Sequence, residues 1–261
     1  MKNSIHHPLS TIHDPVQFFI DFDGTITTTD VVDLILESFA DSAWRTVEKE
    51  WASGKIGSRE CLERQIGLVS ATEAEVSDLL SSVRLDPGFE DFLKKAGSLR
   101  VPVTIVSDGF RWVIQKVFEK NLKDSARLLK DIPVFANDLS WKDPGGPQAV
   151  FPEAPCEHGC ANCKVAAIRR SYPHDLRPVF VGDGLSDRFA TAEADIVFAK
   201  GKLAAFCDER GLSYRPYSTF NDIKDWLTST AGGRGGMIRR ATARRIARRR
   251  TGPAVERRVL R

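Results

Sequence analysis

The sequence predicts an α/β fold: a doubly wound parallel sheet with a small helical domain inserted after its first strand. Three observations predict it. Five short, near-continuous apolar runs recur along the chain, and runs apolar on both faces belong to parallel strands covered on either side. Helical patterns separate the later runs, as crossover connections require. About 75 residues of helical sequence lie between the first run and the second, far more than one crossover helix needs.

The elements follow in order. VQFFIDF (16–22) is the first strand. Next come DVVDLILESFA, SAWRTVEKEWASG, SRECLERQIGLV, TEAEVSDLLSSV and GFEDFLKKAG, amphipathic pieces punctuated by Gly54, Gly57, Ser70 and Asp86-Pro87-Gly88. Four or five such helices can bury a core of their own. VPVTIVSD (101–108), IPVFAND (132–138), RPVFVGD (177–183) and ADIVFAK (194–200) are the later strands. FRWVIQKVFEKNL, CKVAAIRRSY, SDRFATAEA and KLAAFCDERG are the helices among them. The expected division is an α/β core of residues 14–26 and 99–228, a helical cap of 27–98 and a tail of 229–261.

The 261 residues suffice for one large domain or two modest ones, and 42% hydrophobic with 28% charged residues is ordinary for a soluble globular protein. MKNSIHHPLSTIHD lacks the apolar stretch of an export signal and no run is long enough to span a bilayer, so cytosol is the expectation. Five cysteines, an odd number, argue against a disulfide framework. The net charge of +3 hides an asymmetry: residues 231–261 hold eleven Arg, no Lys and one acid, Glu256, giving +10 and leaving 3 − 10 = −7 for the rest. With little apolar periodicity, that tail should be largely disordered. Its RRATARRIARRR could meet nucleic-acid backbone or anionic membrane by charge alone, but it carries no aromatic interleaving and no binding motif.

The chemistry gathers at strand ends. FFIDFDGTITTTD (18–30) places Asp21 and Asp23 two apart at the carboxyl end of a strand, where ligands bind in open α/β sheets. Like charges so placed are costly unless a cation or a proton resolves them. Magnesium suits such oxygens, usually together with a substrate phosphate; a pair of solvated turn aspartates is the plainer alternative. VGDGLSD puts Asp183 and Asp187 after another strand, as a second group of metal ligands. VTIVSDGF leaves Ser107 at a strand tip, where its hydroxyl and the amides of Asp108 and Gly109 can bind an anion. Lys164 begins a helix, where the dipole disfavours a cation, so it needs a phosphate or the carboxylates as partner.

These four segments, in this order, resemble the motifs of the haloacid dehalogenase superfamily over roughly residues 16–228. The helical insert resembles the cap of its phosphoserine phosphatase branch. GSRECLERQIGLV and the long DPGGPQAVFPEAPCEHGCANCK are most similar to the methionine-salvage phosphatases, which act on 2-hydroxy-3-keto-5-methylthiopentenyl-1-phosphate. The resemblance implies a magnesium-dependent phosphomonoesterase. Asp21 would be the nucleophile and form an aspartyl-phosphate; Asp23 would be acid and then base; Ser107 and Lys164 would bind phosphoryl oxygens. Magnesium would be held by Asp21, the Asp23 carbonyl and Asp183, with Asp187 orienting the shell. Ion-pumping relatives carry Thr at the position of Asp23, so aspartate there implies hydrolysis. Asp30 and Arg64 match cap positions that contact substrate in phosphoserine phosphatases, although a helix-start acid and a surface arginine describe them equally. Asp108 departs from that branch, which usually has glycine.

Cys156, His158, Cys160 and Cys163 fall within eight residues and are all zinc-capable. Structural zinc, a loop lining the substrate entrance and a reactive thiol pair all remain open. Phosphoserine phosphatase, or a phosphotransferase to an acceptor other than water, is the alternative function. A nucleic-acid-associated phosphate-end processor tethered by the tail is the more distant one.

Overall fold

The computed structural model describes residues 15–122, 126–142, 146–152, 156–171 and 175–231. Its centre is a seven-stranded sheet in the order β4-β3-β2-β1-β5-β6-β7. The strands are β1 (Val16–Ile20), β2 (Val103–Phe110), β3 (Val134–Lys142), β4 (Gly146–Val150), β5 (Arg177–Gly182), β6 (Ile196–Ala199) and β7 (Arg215–Pro216). All neighbours pair in parallel except β3 and β4, an antiparallel edge hairpin joining Asp138–Val150 to Lys142–Gly146. β1 is central, held between β2 and β5.

The strands bury both faces. Phe18, Ile20, Ile105, Val179, Val181 and Phe198 join one apolar cluster, while the alternate residues Phe19, Val106, Phe180 and Val197 join another. This period of two on a fully covered sheet is why the runs read as unbroken apolar stretches. α5 (Phe89–Ser98), α6 (Arg111–Asn121) and α9 (Phe220–Ala231) cover the first face; α7 (Lys164–Ser171) and α8 (Gly201–Arg210) cover the second. Aromatic edges tie the first layer together, with Phe92 5.0 Å from Phe18 and Phe89 5.1 Å from Phe220.

The insert comprises α1 (Val31–Phe39), α2 (Trp44–Ala52), α3 (Ser58–Ile66) and α4 (Glu73–Leu80). The chain departs at Thr27 and returns at Leu85, two residues joined by an antiparallel bridge, with Asp86 N donating to Ile26 O at 2.8 Å. Asp86 Oδ1 then accepts from Gly88 N and Phe220 N, both at 2.9 Å, fastening the return to α9. α5 comes after this return and packs on β1 and α9, so we draw the insert as α1–α4. α9 runs to Ala231 and takes in the first residues assigned to the tail; 232–261, with the proposed disorder and charge of the tail, lie outside the described residues. SDRFATAEA forms a 3-10 helix over Leu185–Ala192. Among the described residues, no helix is long and apolar enough to cross a membrane.

Candidate active site

The carboxyl ends of the central strands β1, β2 and β5 lie side by side at one end of the sheet, and Asp21, Asp23, Ser107, Asp183 and Asp187 meet there. Lys164, the first residue of α7, reaches in from the second face. Its Nζ donates to Asp21 Oδ1 at 2.6 Å, to Asp187 Oδ1 at 2.5 Å and to Ser186 Oγ at 3.3 Å. Lys164 and Asp187 are 3% and 0% exposed, so the ion pairs are dry. Burial alone would favour the neutral amine, yet the carboxylates of Asp187 and Asp21 hold Lys164 protonated well above its ordinary range.

Asp21 and Asp23 lie side by side but answer to different partners. Asp21 N donates to Val181 O at 2.9 Å, which locks the strand end and leaves the carboxylate on Lys164. Burial, and then the charge of Asp187, push the Asp21 carboxyl well above its usual range. Asp23 faces the insert: its Oδ1 accepts from Val31 N at 3.2 Å at the start of α1, and its Oδ2 accepts from Ser107 Oγ at 3.2 Å. Burial, then the charge of Asp30, push Asp23 up to about 8. Gly109 N donates to Ser107 Oγ at 2.8 Å, and a Cβ at Gly109 would stand 2.7 Å from Asp23 Oδ2, so only glycine leaves room there.

Asp187 is fully committed. Its Oδ2 accepts from Asp183 N and Gly184 N, both at 3.1 Å, while its Oδ1 holds Lys164. These bonds shape the 3-10 turn that follows β5. Asp183 has one oxygen on Thr25 Oγ1, which donates at 2.9 Å, and burial followed by the Asp187 charge raises it to about 6. Its Oδ2 lies 2.6 Å from where a Cβ on Gly24 would be, and Gly24 sits at φ +70. Both facts require glycine.

The donor set suits a divalent cation. Carboxylate oxygens of Asp21, Asp183 and Asp187 all lie within 4.8 Å of one another, and one lysine pairs with two of these three acids. The ligands are hard oxygens and the charge left over is negative, which matches magnesium. With Asp187 saturated by its own partners, Asp21 and Asp183 are the carboxylates free to ligate.

The remaining expectations divide. Asp30 caps α1, accepting from Asp33 N at 3.0 Å, and is exposed, close enough to Asp23 for its charge to help raise that carboxyl. Arg64 is not brought to the cluster: its guanidinium is spent on Glu50 at 2.6 Å and Glu60 at 3.3 Å on the insert surface, the plainer reading of that residue. Asp108 is half-buried with both carboxylate oxygens shut off from solvent, close to Ser58 and the Asn162 amide but without a well-formed hydrogen bond to either. Burial raises its carboxyl. The sulfurs of Cys156, Cys160 and Cys163 converge within 4.8 Å. A cavity of about 310 Å³, lined by Lys55, Ser58, His158, Ser186, Arg188 and Phe189, opens between the α2–α3 turn and the cysteine loop; of its wall, Ser186 is the residue bonded to the cluster, accepting from Lys164. Thr25 and Ser186 were not singled out from sequence, although both lie inside the quoted motifs. Arg188 carried no signal beyond its nearness to Asp187.

Comparison with known proteins places the chain in a family and a fold. Residues 18–190 match the family described as haloacid dehalogenase-like hydrolase. The chain is 30% identical over 214 residues to a 2-hydroxy-3-keto-5-methylthiopentenyl-1-phosphate phosphatase of Geobacillus thermodenitrificans, covering 80% of this chain and 94% of that protein. A protein of the same name from Bacillus cereus is 25% identical over 217 residues, covering 81% and 95%. Among solved structures, a phospho-aspartyl intermediate analogue of phosphoserine phosphatase superposes with a TM-score of 0.61 at 21% identity, covering 82% of this chain and 99% of that one; the likeness shows the fold.

Proposed function

This chain belongs to the haloacid dehalogenase-like hydrolase family and is a phosphatase of it, and from that premise we propose that it is a magnesium-dependent phosphomonoesterase working through an aspartyl-phosphate. Its substrate would be a small phosphorylated metabolite, 2-hydroxy-3-keto-5-methylthiopentenyl-1-phosphate first among candidates because relatives covering most of the chain carry that name. We place the reaction in the cytosol.

The observation that carries the mechanism is the separate bonding of the two neighbouring aspartates. Asp21, aimed by Lys164, attacks phosphorus as the ester P–O bond breaks. Asp23, held off that axis by Val31 N and Ser107 Oγ, gives its proton to the departing alkoxide. Asp23, now a carboxylate, takes a proton from water; the water oxygen attacks phosphorus, the P–O bond to Asp21 breaks and inorganic phosphate leaves. Lys164 and Ser107, with the amides after it, bind the phosphoryl oxygens. Asp21, Asp183 and the Asp23 carbonyl would hold magnesium, with Asp187 orienting the shell. When bound, the ion neutralises charge on the transferring group.

Phosphate release from a panel of phosphorylated metabolites, with and without magnesium, tests this reading. Turnover that requires the metal and disappears in Asp21→Asn is expected. Metal-independent turnover, or release of phosphate at the wild-type rate by that variant, refutes it. Phosphoserine belongs in the panel as the alternative substrate, and added alcohols would reveal transfer to an acceptor other than water.

A further inference from the structure

We propose that Cys156, Cys160 and Cys163, with His158, form a structural zinc site that clamps the cysteine loop between the helical insert and α7. The three sulfurs already lie within 4.8 Å of one another, and all three cysteines are free thiols. Tetrahedral zinc with Zn–S bonds of about 2.3 Å would set them roughly 3.8 Å apart, a small contraction. His158 would be the fourth ligand: its Nδ1 lies 4.0 Å from Cys156 Sγ, but its ring rests on Phe189 at a centroid distance of 4.0 Å, outside the group of three sulfurs, so binding requires the exposed side chain to turn toward them.

A four-ligand site in so short a segment looks cramped on paper. The backbone resolves this by turning back on itself. Gly159 N donates to Cys156 O at 3.2 Å and Gly159 takes φ +64, a left-handed conformation that favours glycine. The turn aims the amides of His158 and Cys160 at Cys156 Sγ, and Ala166 N, in the first turn of α7, donates to Cys163 Sγ at 3.4 Å. The ligands are soft, so this site selects zinc while the oxygen-only aspartate cluster selects magnesium. A disulfide would use two of the three sulfurs and leave the third, and the histidine, without a role.

The loop is tied to the insert, to the end of β2 and to the start of α7. Arg59 N, in the first turn of α3, donates to Gly159 O at 3.0 Å; Ala161 N donates to Ser58 Oγ at 3.3 Å; Asn162 Nδ2 donates to Ser107 O at 3.0 Å. Cys163 directly precedes Lys164. Zinc bound here would fix one wall of the cavity and the start of the helix that delivers the lysine. Its role is positioning, and its detection needs no turnover, so it stands or falls apart from the phosphatase reading.

The test uses the full chain. Metal analysis of the purified protein should find one zinc per chain, released when the thiols are titrated with a mercurial. The metal-free protein reconstituted with cobalt should show thiolate-to-cobalt charge-transfer bands of three-sulfur intensity. Cys160→Ser should lose the zinc and weaken cobalt binding at least tenfold, while Cys61→Ser and Cys207→Ser, at buried thiols elsewhere, should keep both. Asp183→Asn should keep the charge-transfer bands, separating this site from the aspartates. If Cys160→Ser does not fold, the wild-type cobalt spectrum and zinc content decide alone. Absence of both zinc and sulfur-to-cobalt bands, or a disulfide among these cysteines mapped in freshly purified protein, would overturn the proposal.

Discussion

The aspartate cluster and the cysteine loop each gather three metal-capable side chains within 4.8 Å, yet they are assembled in opposite ways. Asp21 comes from the end of β1 and Asp183 and Asp187 from the end of β5, so the sheet register between those strands is their frame. The cysteines lie within eight residues of one another and depend on a single glycine turn. The aspartates carry an internal counter-ion, the buried Lys164, bonded to two of them; the thiols have no cation bonded to them among the described residues and meet backbone amides, with Arg188 and Arg169 near enough only to act through charge. A site framed by strand ends keeps its shape with nothing bound, at the cost of crowding like charges. A site framed by one loop avoids that cost and takes its rigidity from what it binds.

Breaking the chemistry without breaking the frame has the largest expected effect. Asp21→Asn keeps an oxygen to accept from Lys164 but cannot act as the nucleophile, and turnover should fall by about 10³-fold or more. Asp23→Asn keeps its acceptor for Val31 N and loses the transferable proton, for a fall of about 10²–10⁴-fold. Both should unfold close to wild type in urea. A phosphate-release assay checks them, and a merely twofold loss in either would mean that the cluster is not the reacting centre.

Breaking the frame comes next. Lys164→Met leaves Asp21 and Asp187 buried without their counter-charge, and losing one partner of a buried pair costs about 3–5 kcal/mol. Urea unfolding of the metal-free protein measures this, and magnesium should restore part of the loss. Gly24→Ala forces a side chain into the left-handed region, costing about 1–2 kcal/mol, and presses on Asp183. It should therefore weaken magnesium binding as well as stability. Unchanged magnesium affinity in Gly24→Ala would show that Asp183 does not ligate from that position.

The same contrast explains what the sequence made legible. Strands covered on both faces read as unbroken apolar runs, and acids at their ends stand out, so Asp21, Asp23, Ser107, Asp183 and Asp187 could be placed at the strand ends where they meet. Lys164 was visible because a cation at a helix start is electrostatically misplaced without a partner. The hairpin strand β4 was hidden: GPQAV contains glycine and proline and has no strand pattern, and it pairs only because an edge strand tolerates proline. Arg64 misled because its local pattern is the same whether the guanidinium turns toward a ligand or, as observed, toward Glu50 and Glu60. The convergence of the cysteines depends on the backbone turn at Gly159, which side-chain spacing alone does not encode.

The smallest effect isolates the crowding itself. Asp183 is held up to about 6 from an ordinary value of 3.8, chiefly by burial and then by Asp187. Between those values the folded metal-free protein binds a proton that the unfolded chain has released. Its stability therefore falls as pH rises through that window and stays lower above it. Asp183→Asn keeps an oxygen to accept from Thr25 and removes this titration. The two proteins should melt alike near pH 3.5. A displacement of about two pH units carries at most ~3 kcal/mol, and solvent screening of the half-buried Asp183 cuts this to roughly 1 kcal/mol, so at pH 8 without metal the variant should melt about 2–4 °C higher. Magnesium should reverse the order, raising wild type and leaving the variant nearly unmoved. Asp23, raised to about 8, titrates in both proteins and drops out of the difference. Calorimetry in chelator at the two pH values decides it: a variant that melts lower at pH 8 would mean that the acids at the strand ends are not held against their own repulsion.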